Sequence, residues 1–227
     1  MFNEILFPGV RHENWQMMPW EKIALTGVLS RVRPKGAIEI GVYHGGSLSL
    51  AAPFCGKIIA IDIDPEVPKR FPKPDNCEIW IAPSIDSAPA AFAQFEAEGI
   101  PVNYVLIDAD HSAEGVRRDI ELVLAYTPRE PMFVLMHDSG NAETRRGILA
   151  ADWAASPYLH YVDLDFVPGQ IIEHQVAGDR AEVWGGLAIA YLDPNPRTGE
   201  PVIQQSAKTS IRCLHACAPD LSKVPAA

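Results

Sequence analysis

A regular alternation of short apolar runs with helical stretches constrains the fold of this 227-residue chain more than any other feature. Five runs are rich in strand-forming residues, and small or polar residues mark their ends. They are AIEIGV (37–42), KIIAID (57–62), CEIWIA (77–82), VNYVLID (102–108) and MFVLMHD (132–138). Strands that are apolar on both faces and separated by helices belong to a parallel sheet covered on both sides. The alternation therefore predicts a doubly wound α/β domain.

Helical periodicity fills the intervals between these strands. Apolar residues at three- and four-residue spacing predict helices near 20–32, 47–53, 85–98, 112–126 and 142–154. In the first helix the predicted buried face consists of Trp20, Ile23, Ala24, Val28, Leu29 and Val32. Two later runs, YLHYVDLDFV and EVWGGLAIAYL, indicate a closing pair of strands. Since neither a composition break nor a repeat divides the chain, we expect one domain over 1–192 and a polar, turn-rich extension over 193–227.

Composition limits the partners of such a domain. The net charge is −10, and basic residues such as Arg117-Arg118 and Arg145-Arg146 form isolated pairs rather than a stripe. Nucleic acid is not expected as a partner, because neutralising phosphates needs clustered Lys and Arg. No apolar run approaches the roughly 20 residues of a membrane span, and the start MFNEILFPGV lacks the pattern of a secretory signal. We therefore expect a cytoplasmic protein that does not bind membranes.

The four cysteines are too few and too scattered for a disulfide framework in a chain of this size. They are Cys55, Cys77, Cys213 and Cys217. The tail segment CLHAC adds His215 but has neither the usual CxxC spacing nor an obvious fourth ligand, so a structural zinc site is not expected.

A glycine-rich turn follows the first strand in EIGVYHGGS, where Gly41, Gly45 and Gly46 precede a helix. Such a turn lets a ligand approach the backbone and the helix N-terminus. The dinucleotide fingerprint GxGxxG would place its second glycine where Tyr43 stands, so the turn suits a cofactor with a smaller polar end better than NAD. About 20 residues later, Asp62 is either a polar strand end or an acceptor for both hydroxyls of an adenosine ribose.

Glu39 lies between Ile38 and Ile40 on a central strand. Burying a carboxylate there is costly unless it is paired or hydrogen-bonded. Glu39 should therefore face the ligand cleft or the amides of the glycine turn. A cofactor with an ammonium group would give it a partner, directly or through water.

Polar residues also end the fourth and fifth strands, in LIDADH and MHD. These strands are neighbours in the predicted sheet, so Asp108, His137 and Asp138 should converge on one point. Such ligands suit Mg²⁺, Mn²⁺ or a similar ion, which can hold a substrate hydroxyl and lower its pKa. Alternatively, His137 is a hydrogen-bonded strand-end residue, and Asp110 or Ser112 only caps the next helix.

At these residues the sequence resembles the class I S-adenosylmethionine-dependent methyltransferases. EIGVYHGGS resembles their first motif, and IAIDID resembles the strand end whose acid binds the ribose. IDADHSAEGVRRDIELV followed by FVLMHDSGNAETRRGI is similar to the branch that includes macrolide-sugar O-methyltransferases and cephalosporin-hydroxylase-like proteins. The resemblance covers roughly residues 15–150. It implies a single Rossmann-like domain with a mostly parallel, seven-stranded sheet and helices on both faces.

The resemblance also implies S-adenosyl-L-methionine as the cofactor and assigns residues to its parts. Glu39, Gly41, Tyr43 and Ser47 would lie along the methionine end, Asp62 at the ribose, and Ser84 with Asp86 near the adenine; the implied set further includes Gly45, Ile63 and Asp108.

The metal-dependent sugar methyltransferases of this branch have their metal ligands at the positions of Asp108, His137 and Asp138. A histidine at the position of His111 is their general base, so Asp108 and His111 are the implied catalytic residues. Where this chain has His137 those relatives carry a glutamate, which leaves metal dependence open. His111 could also orient Asp108 rather than take a proton.

Three functions follow as hypotheses. The first is O-methylation of a small hydroxylated acceptor, such as a sugar or another secondary metabolite, with Mg²⁺ or a similar ion. The second omits the metal and leaves His111 alone as the base, and the third is a non-catalytic protein that binds adenosine ligands. A homo-oligomer is a family-level expectation. Trp15, Met17, Met18 and Trp20 form a cluster that either lines the acceptor pocket or belongs to the core or a subunit contact.

Overall fold

The computed structural model describes residues 15–174 and 180–217. The N-terminal segment in which no secretory signal is expected and the side chain of Cys217 in CLHAC lie outside the described residues. No helix in the described ranges is both long and apolar enough to cross a membrane.

The strands follow one another much as the apolar runs predict. They are β1 (Gly36–Ile40), β2 (Lys57–Asp62), β3 (Cys77–Ile81), β4 (Val102–Ile107), β5 (Met132–His137), β6 (Leu159–Val167), β7 (Gln170–His174), β8 (Arg180–Trp184), β9 (Leu187–Leu192) and β10 (Val202–Gln204). The helices are α1 (Pro19–Val32), α2 (Gly46–Ala51), α3 (Val67–Arg70), α4 (Ser84–Ala97), α5 (Ala113–Leu124), α6 (Ala142–Ala150) and α7 (Lys208–Cys217), with a 3₁₀ turn at Ala52–Phe54.

One eight-stranded sheet has the order β10-β6-β9-β5-β4-β1-β2-β3. Strands β1 to β5 pair in parallel, and β9 lies antiparallel between β5 and β6. Strands β7 and β8 form a separate antiparallel hairpin. The doubly wound fold is confirmed, whereas the count of seven strands is wrong. The additional strand, β10, has only three exposed residues and pairs with β6 at the sheet edge, so it leaves no apolar run in the sequence.

Helices cover both faces of the sheet, as strands with two apolar faces require. Successive residues of β1 alternate between two buried clusters. Ile38 packs in the cluster that contains Phe95 of α4, whereas Ala37 packs in the cluster that contains Leu29 of α1. The alternation places Glu39 on the same side as Ala37, the side of α1 and α2.

Helix α1 buries only part of the predicted face. Trp20 and Ile23 are 45% and 54% exposed, while the charged residues Glu21 and Lys22 are buried. Lys22 lies over the ring of Trp15 at 4.4 Å, and Glu21 contacts backbone amides described below. The prediction for this helix face is therefore wrong at Trp20 and Ile23, whereas Leu29 is buried in the core and Ala24 and Val28 pack against it.

Gly41 lies where the ends of β1, β2 and β4 approach one another most closely. Its N–H donates to the carbonyl of Ile61 at 2.8 Å, and its φ is +91°. A Cβ at this position would lie 2.0 Å from the carbonyl oxygen of Asp108. Only glycine fits both the backbone conformation and this approach.

We predict that Gly41→Ala lowers the free energy of unfolding by about 3 kcal/mol or more, because the added methyl group meets backbone in a strained conformation. Chemical denaturation of the purified protein measures this change. Gly27, an exposed residue inside α1 with open space around it, provides the matched control. Gly27→Ala should stabilise the protein by about 0.5–1 kcal/mol. Equal effects of the two substitutions would contradict the close approach at Gly41.

Candidate active site

A cleft of about 860 Å³ lies at the carboxyl ends of β1, β2, β4 and β5. In an open parallel sheet this is the edge at which ligands bind. Of the predicted cofactor residues, the cleft lining includes Gly41, Tyr43, Ser47, Asp62, Ile63, Ser84 and Asp108. It also includes His111, His137 and Asp138. The predicted cofactor, base and metal residues therefore share one cavity.

The glycine turn is held in place by the carboxylate of Asp62. Asp62 Oδ2 accepts the N–H groups of Val42 and Tyr43 at 2.9 and 3.0 Å, and Oδ1 accepts that of Asp64 at 2.9 Å. Tyr43 has a φ of +51° and is half exposed at the cleft. Asp62 thus fixes the turn in addition to the predicted ribose contact, because a carboxylate can accept several hydrogen bonds at once.

Glu39 is 2% exposed and lies beneath the glycine turn, behind the described cleft lining. Its Oε1 accepts the hydroxyl of Ser47 at 2.7 Å, and Ser47 does line the cleft. Burial raises the pKa of Glu39 to about 8, and the carboxylates of Asp108 and Asp62 add to the rise, although the Ser47 hydrogen bond opposes it. In the free protein the carboxyl is therefore largely protonated near neutral pH.

The ends of β4 and β5 bring together Asp108, His137 and Asp138, as predicted. His137 Nδ1 lies 3.0 Å from Asp108 Oδ1 and 3.3 Å from Asp138 Oδ2. One donor atom from each residue can be chosen so that all three lie within 4.8 Å of one another. Burial opposes a charged imidazole, but the two carboxylates outweigh it and raise the pKa of His137 well above its ordinary value.

His111 stands at the mouth of this cluster. Its Nε2 lies 2.8 Å from Asp138 Oδ2 and 3.9 Å from Asp108 Oδ1, and its side chain is 42% exposed. The hydrogen bond to Asp138 raises the pKa of His111 despite partial burial. Its ring packs edge-to-face against Trp184 at 5.6 Å. His111 is therefore oriented by Asp138 more directly than it orients Asp108.

Asp110 and Ser112 shape the turn before α5. The hydroxyl of Ser112 accepts the N–H of Gly115 at 3.1 Å, which makes Ser112 the N-cap. Asp110 Oδ1 accepts the N–H of Ser112 at 2.8 Å. Asp110 also lies on the cleft wall, but its hydrogen bond supports the capping alternative.

Comparison with known proteins agrees with this arrangement. Residues 38–139 match the family model described as a methyltransferase domain. The structure is similar to an O-methyltransferase from Bacillus cereus in complex with SAH, with 14% identity, 85% of this chain and 96% of that chain covered, and a TM-score of 0.56. It is also similar to the O-methyltransferase TomG from Streptomyces achromogenes, with 12% identity, 84% and 85% covered, and a TM-score of 0.51. No curated protein matches the sequence.

The methyltransferase-domain match spans residues 38–139, less than half of the 227-residue chain, and it agrees with the family that the sequence resembles. At such low identities the two similar structures establish the fold alone, and the family match is confined to residues 38–139. That range begins in β1 and ends just after β5, so it contains every strand end that forms the cleft.

The part of the cleft around Ser84 has a feature that the sequence did not reveal. Ser84 Oγ donates to Asp119 Oδ1 at 2.6 Å, and Asp119 is 1% exposed beside Arg118, with both residues on the cleft wall. Burial raises the pKa of Asp119, although the Ser84 and Arg118 contacts oppose the rise. The predicted Asp86 lies exposed on the first turn of α4, away from the described lining.

The predicted cluster of aromatic and methionine residues before α1 lies only partly at the cleft. Trp15 and Met17 line the cleft, whereas Trp20 is exposed on α1.

Gly45 has a φ of +72°, and its N–H donates to the carbonyl of Val42 at 2.8 Å. Gly45 therefore shapes the turn from behind the described lining of the cleft.

We predict that Glu39 contributes a loss of stability to the free protein as pH rises from about 4.5 to about 8. Across this window the unfolded chain releases the Glu39 proton, whereas the folded protein keeps it because the buried carboxylate is costly. Glu39→Gln keeps an oxygen acceptor for Ser47 and has no proton to lose, so it should flatten this dependence. The difference should be on the order of 2–4 kcal/mol across the window.

Urea unfolding at several pH values measures the effect. Glu200→Gln, at an exposed position outside the cleft, is the control and should retain the wild-type pH dependence. If Glu39→Gln and the wild type changed in parallel with pH, Glu39 would be ionised in the folded protein.

Proposed function

We propose that the domain transfers the methyl group of S-adenosyl-L-methionine to a hydroxyl oxygen of a small molecule. The observation that carries this proposal is the meeting of Asp108, His111 and Asp138 in the cleft that also holds the glycine turn. Asp62 ends β2 on one side of β1, and the catalytic candidates follow β4 and β5 on the other side. A cofactor lying across β1 would present its methyl group to them.

In this proposal Asp62 accepts the ribose hydroxyls, Ser84 and Asp119 face the adenine, and the glycine turn and Ser47 accommodate the methionine end. The proposal is supported by the lining of the cleft, which includes Asp62, Ser84, Asp119 and Ser47. The ammonium group of the methionine would supply the charge that buried Glu39 lacks, directly or through water. The negative net charge of the chain is consistent with a small acceptor rather than a nucleic acid.

Methyl transfer is an in-line displacement at the sulfonium methyl group. The acceptor oxygen forms a bond to the methyl carbon, the carbon–sulfur bond breaks, and its electron pair remains on the sulfur of S-adenosylhomocysteine. The hydroxyl proton passes to His111, and Asp138 stabilises the imidazolium that forms. With Nε2 engaged by Asp138, Nδ1 of His111 is the nitrogen that takes the proton.

Asp108, His137 and Asp138 fit a divalent ion, because two carboxylate oxygens and one imidazole nitrogen lie within 4.8 Å of one another. A mixed oxygen and nitrogen donor set suits Mn²⁺, Fe²⁺ or Co²⁺ better than Mg²⁺. An ion bound there would hold the acceptor oxygen and lower the pKa of its proton. One observation favours the metal-independent alternative: the His137 ring already pairs with both carboxylates and compensates part of their charge.

We predict that S-adenosylmethionine and S-adenosylhomocysteine both bind the protein with dissociation constants between about 1 µM and 1 mM. Calorimetry with each compound, with and without Mn²⁺ and EDTA, measures binding. Release of S-adenosylhomocysteine with a panel of sugars and phenols measures turnover. Failure of both compounds to bind would contradict the methyltransferase function as a whole. Binding and turnover that ignore EDTA would contradict only the metal, and Asp108→Asn should abolish any Mn²⁺ binding that is seen.

We predict that His111→Ala lowers kcat by about 100-fold to 10,000-fold, because the acceptor proton loses its base. Binding of S-adenosylmethionine should change less than about threefold, since His111 serves the acceptor rather than the cofactor. His160→Ala is the matched control, because His160 bonds to the carbonyl of Asn195 outside the cleft. Normal turnover of His111→Ala would remove His111 as the base.

A further inference from the structure

Glu21, on the first turn of α1, is fully buried and is absent from the predicted site. Its Oε2 accepts the N–H of Met18 at 2.5 Å, which closes the start of the helix. Its Oε1 accepts the N–H of Gly186 and lies 3.3 Å from His137 Nε2. An isolated buried carboxylate is costly, so contacts with two amides and an imidazole are the compensation that keeps Glu21 in place.

His137 consequently has carboxylates on both sides of its ring. Nδ1 faces Asp108 and Asp138, and Nε2 faces Glu21. Within the described residues Nε2 makes no hydrogen bond, so Glu21 Oε1 approaches it to 3.3 Å at an ion-pair distance without hydrogen-bond geometry. The partner of one ring nitrogen determines how the other nitrogen is presented to a ligand or a metal.

A diglycine bend between β8 and β9 fixes two of these carboxylates together. The N–H of Gly185 donates to Asp138 Oδ1 at 2.7 Å, and the N–H of Gly186 donates to Glu21 Oε1. The two glycines have φ values of +70° and +89°. A Cβ on Gly185 would lie 2.8 Å from Glu21 Oε1, and one on Gly186 would lie 2.9 Å from Ser139 Oγ. Two consecutive glycines are therefore required for this pair of amides to reach the two carboxylates.

We propose that Glu21 is a positioning residue of the active site, which holds the His137 ring with Nδ1 directed at Asp108 and Asp138. The proposal rests on the proposed function for its catalytic meaning, but the geometry concerns the free protein. Helix α1 thereby becomes part of the site, although Glu21 lies behind the described cleft lining. Glu21 acts through His137 on the two carboxylates that face the acceptor.

The test compares Glu21→Gln with the wild type, because Gln keeps an oxygen for the amide of Gly186 and loses the charge that faces His137. The first readout is the ¹⁵N spectrum of the histidine rings in the free protein, with the His137 signals assigned from His137→Asn. We expect the His137 ring signals to move in Glu21→Gln. In turnover, kcat should fall about tenfold or more, with binding of S-adenosylmethionine changed less than about threefold.

Glu143→Gln is the matched control, since Glu143 is an exposed glutamate on the first turn of α6 and pairs with Arg146. It should leave the His137 signals and kcat unchanged. Glu21→Asp keeps the carboxylate but shortens the side chain by one methylene group. It should move the His137 ring signals as well, and its kcat should be higher than that of Glu21→Gln. If Glu21→Gln does not fold, Glu21→Asp decides the question by the same spectrum.

Unchanged His137 signals in a folded Glu21 variant would overturn the positioning role. Failure of the wild type to bind S-adenosylmethionine would instead contradict the proposed function, and the ring spectrum of the free protein would still decide the role of Glu21.

Discussion

Compensation of buried charge at the ends of β4 and β5 is the constraint on which the rest of the site depends. Asp138 is 7% exposed, and burial alone would raise its pKa. The imidazoles of His137 and His111 reverse this effect and lower the pKa of Asp138 below its ordinary value. The backbone amide of Gly185 stabilises the same carboxylate. Asp138 thus remains an anion that can orient His111. This requires the end of β5, the bend before β9 and the turn before α5 to lie next to one another.

Much of the fold could be predicted because its signals are local. An apolar run and its polar end lie within a few residues, so strands β1 to β5 begin and end within about two residues of the predicted runs. Strand β10 and the hairpin of β7 and β8 were missed because pairing partners, rather than local apolar patterns, define them. The exposure of Trp20 and Ile23 on α1 was mispredicted for the same reason, since a distant partner, Gly186, holds the neighbouring Glu21.

The residues of the candidate site likewise divide into those with a local sequence signal and those without one. Asp62, Asp108 and Asp138 could be placed from the sequence because parallel strands deliver their ends to one edge. Glu21 could not, since its partner Gly186 is 165 positions away and its spacing indicates only a capped helix start. Asp119 was missed because a carboxylate on α5 has no signature until Ser84, 35 positions earlier, is found beside it. Only a signal linking distant positions could have found either residue.

The sugar methyltransferases that the chain resembles carry a glutamate at the position of His137. The contacts around His137 suggest how the site compensates for that difference. An imidazole in place of that glutamate removes one negative charge, and Glu21 restores a carboxylate on the far side of the ring. Because the ring stands between Glu21 and the pair of Asp108 and Asp138, the carboxylate of Glu21 faces Nε2 and leaves Nδ1 toward the two aspartates. A charged ring would offset one of the two aspartate charges, whereas a neutral ring with an unprotonated Nδ1 would offer a nitrogen ligand to an ion held by the same aspartates. The geometry is compatible with either form of the site, and the protonation of the two ring nitrogens decides between an internal cation and a bound one.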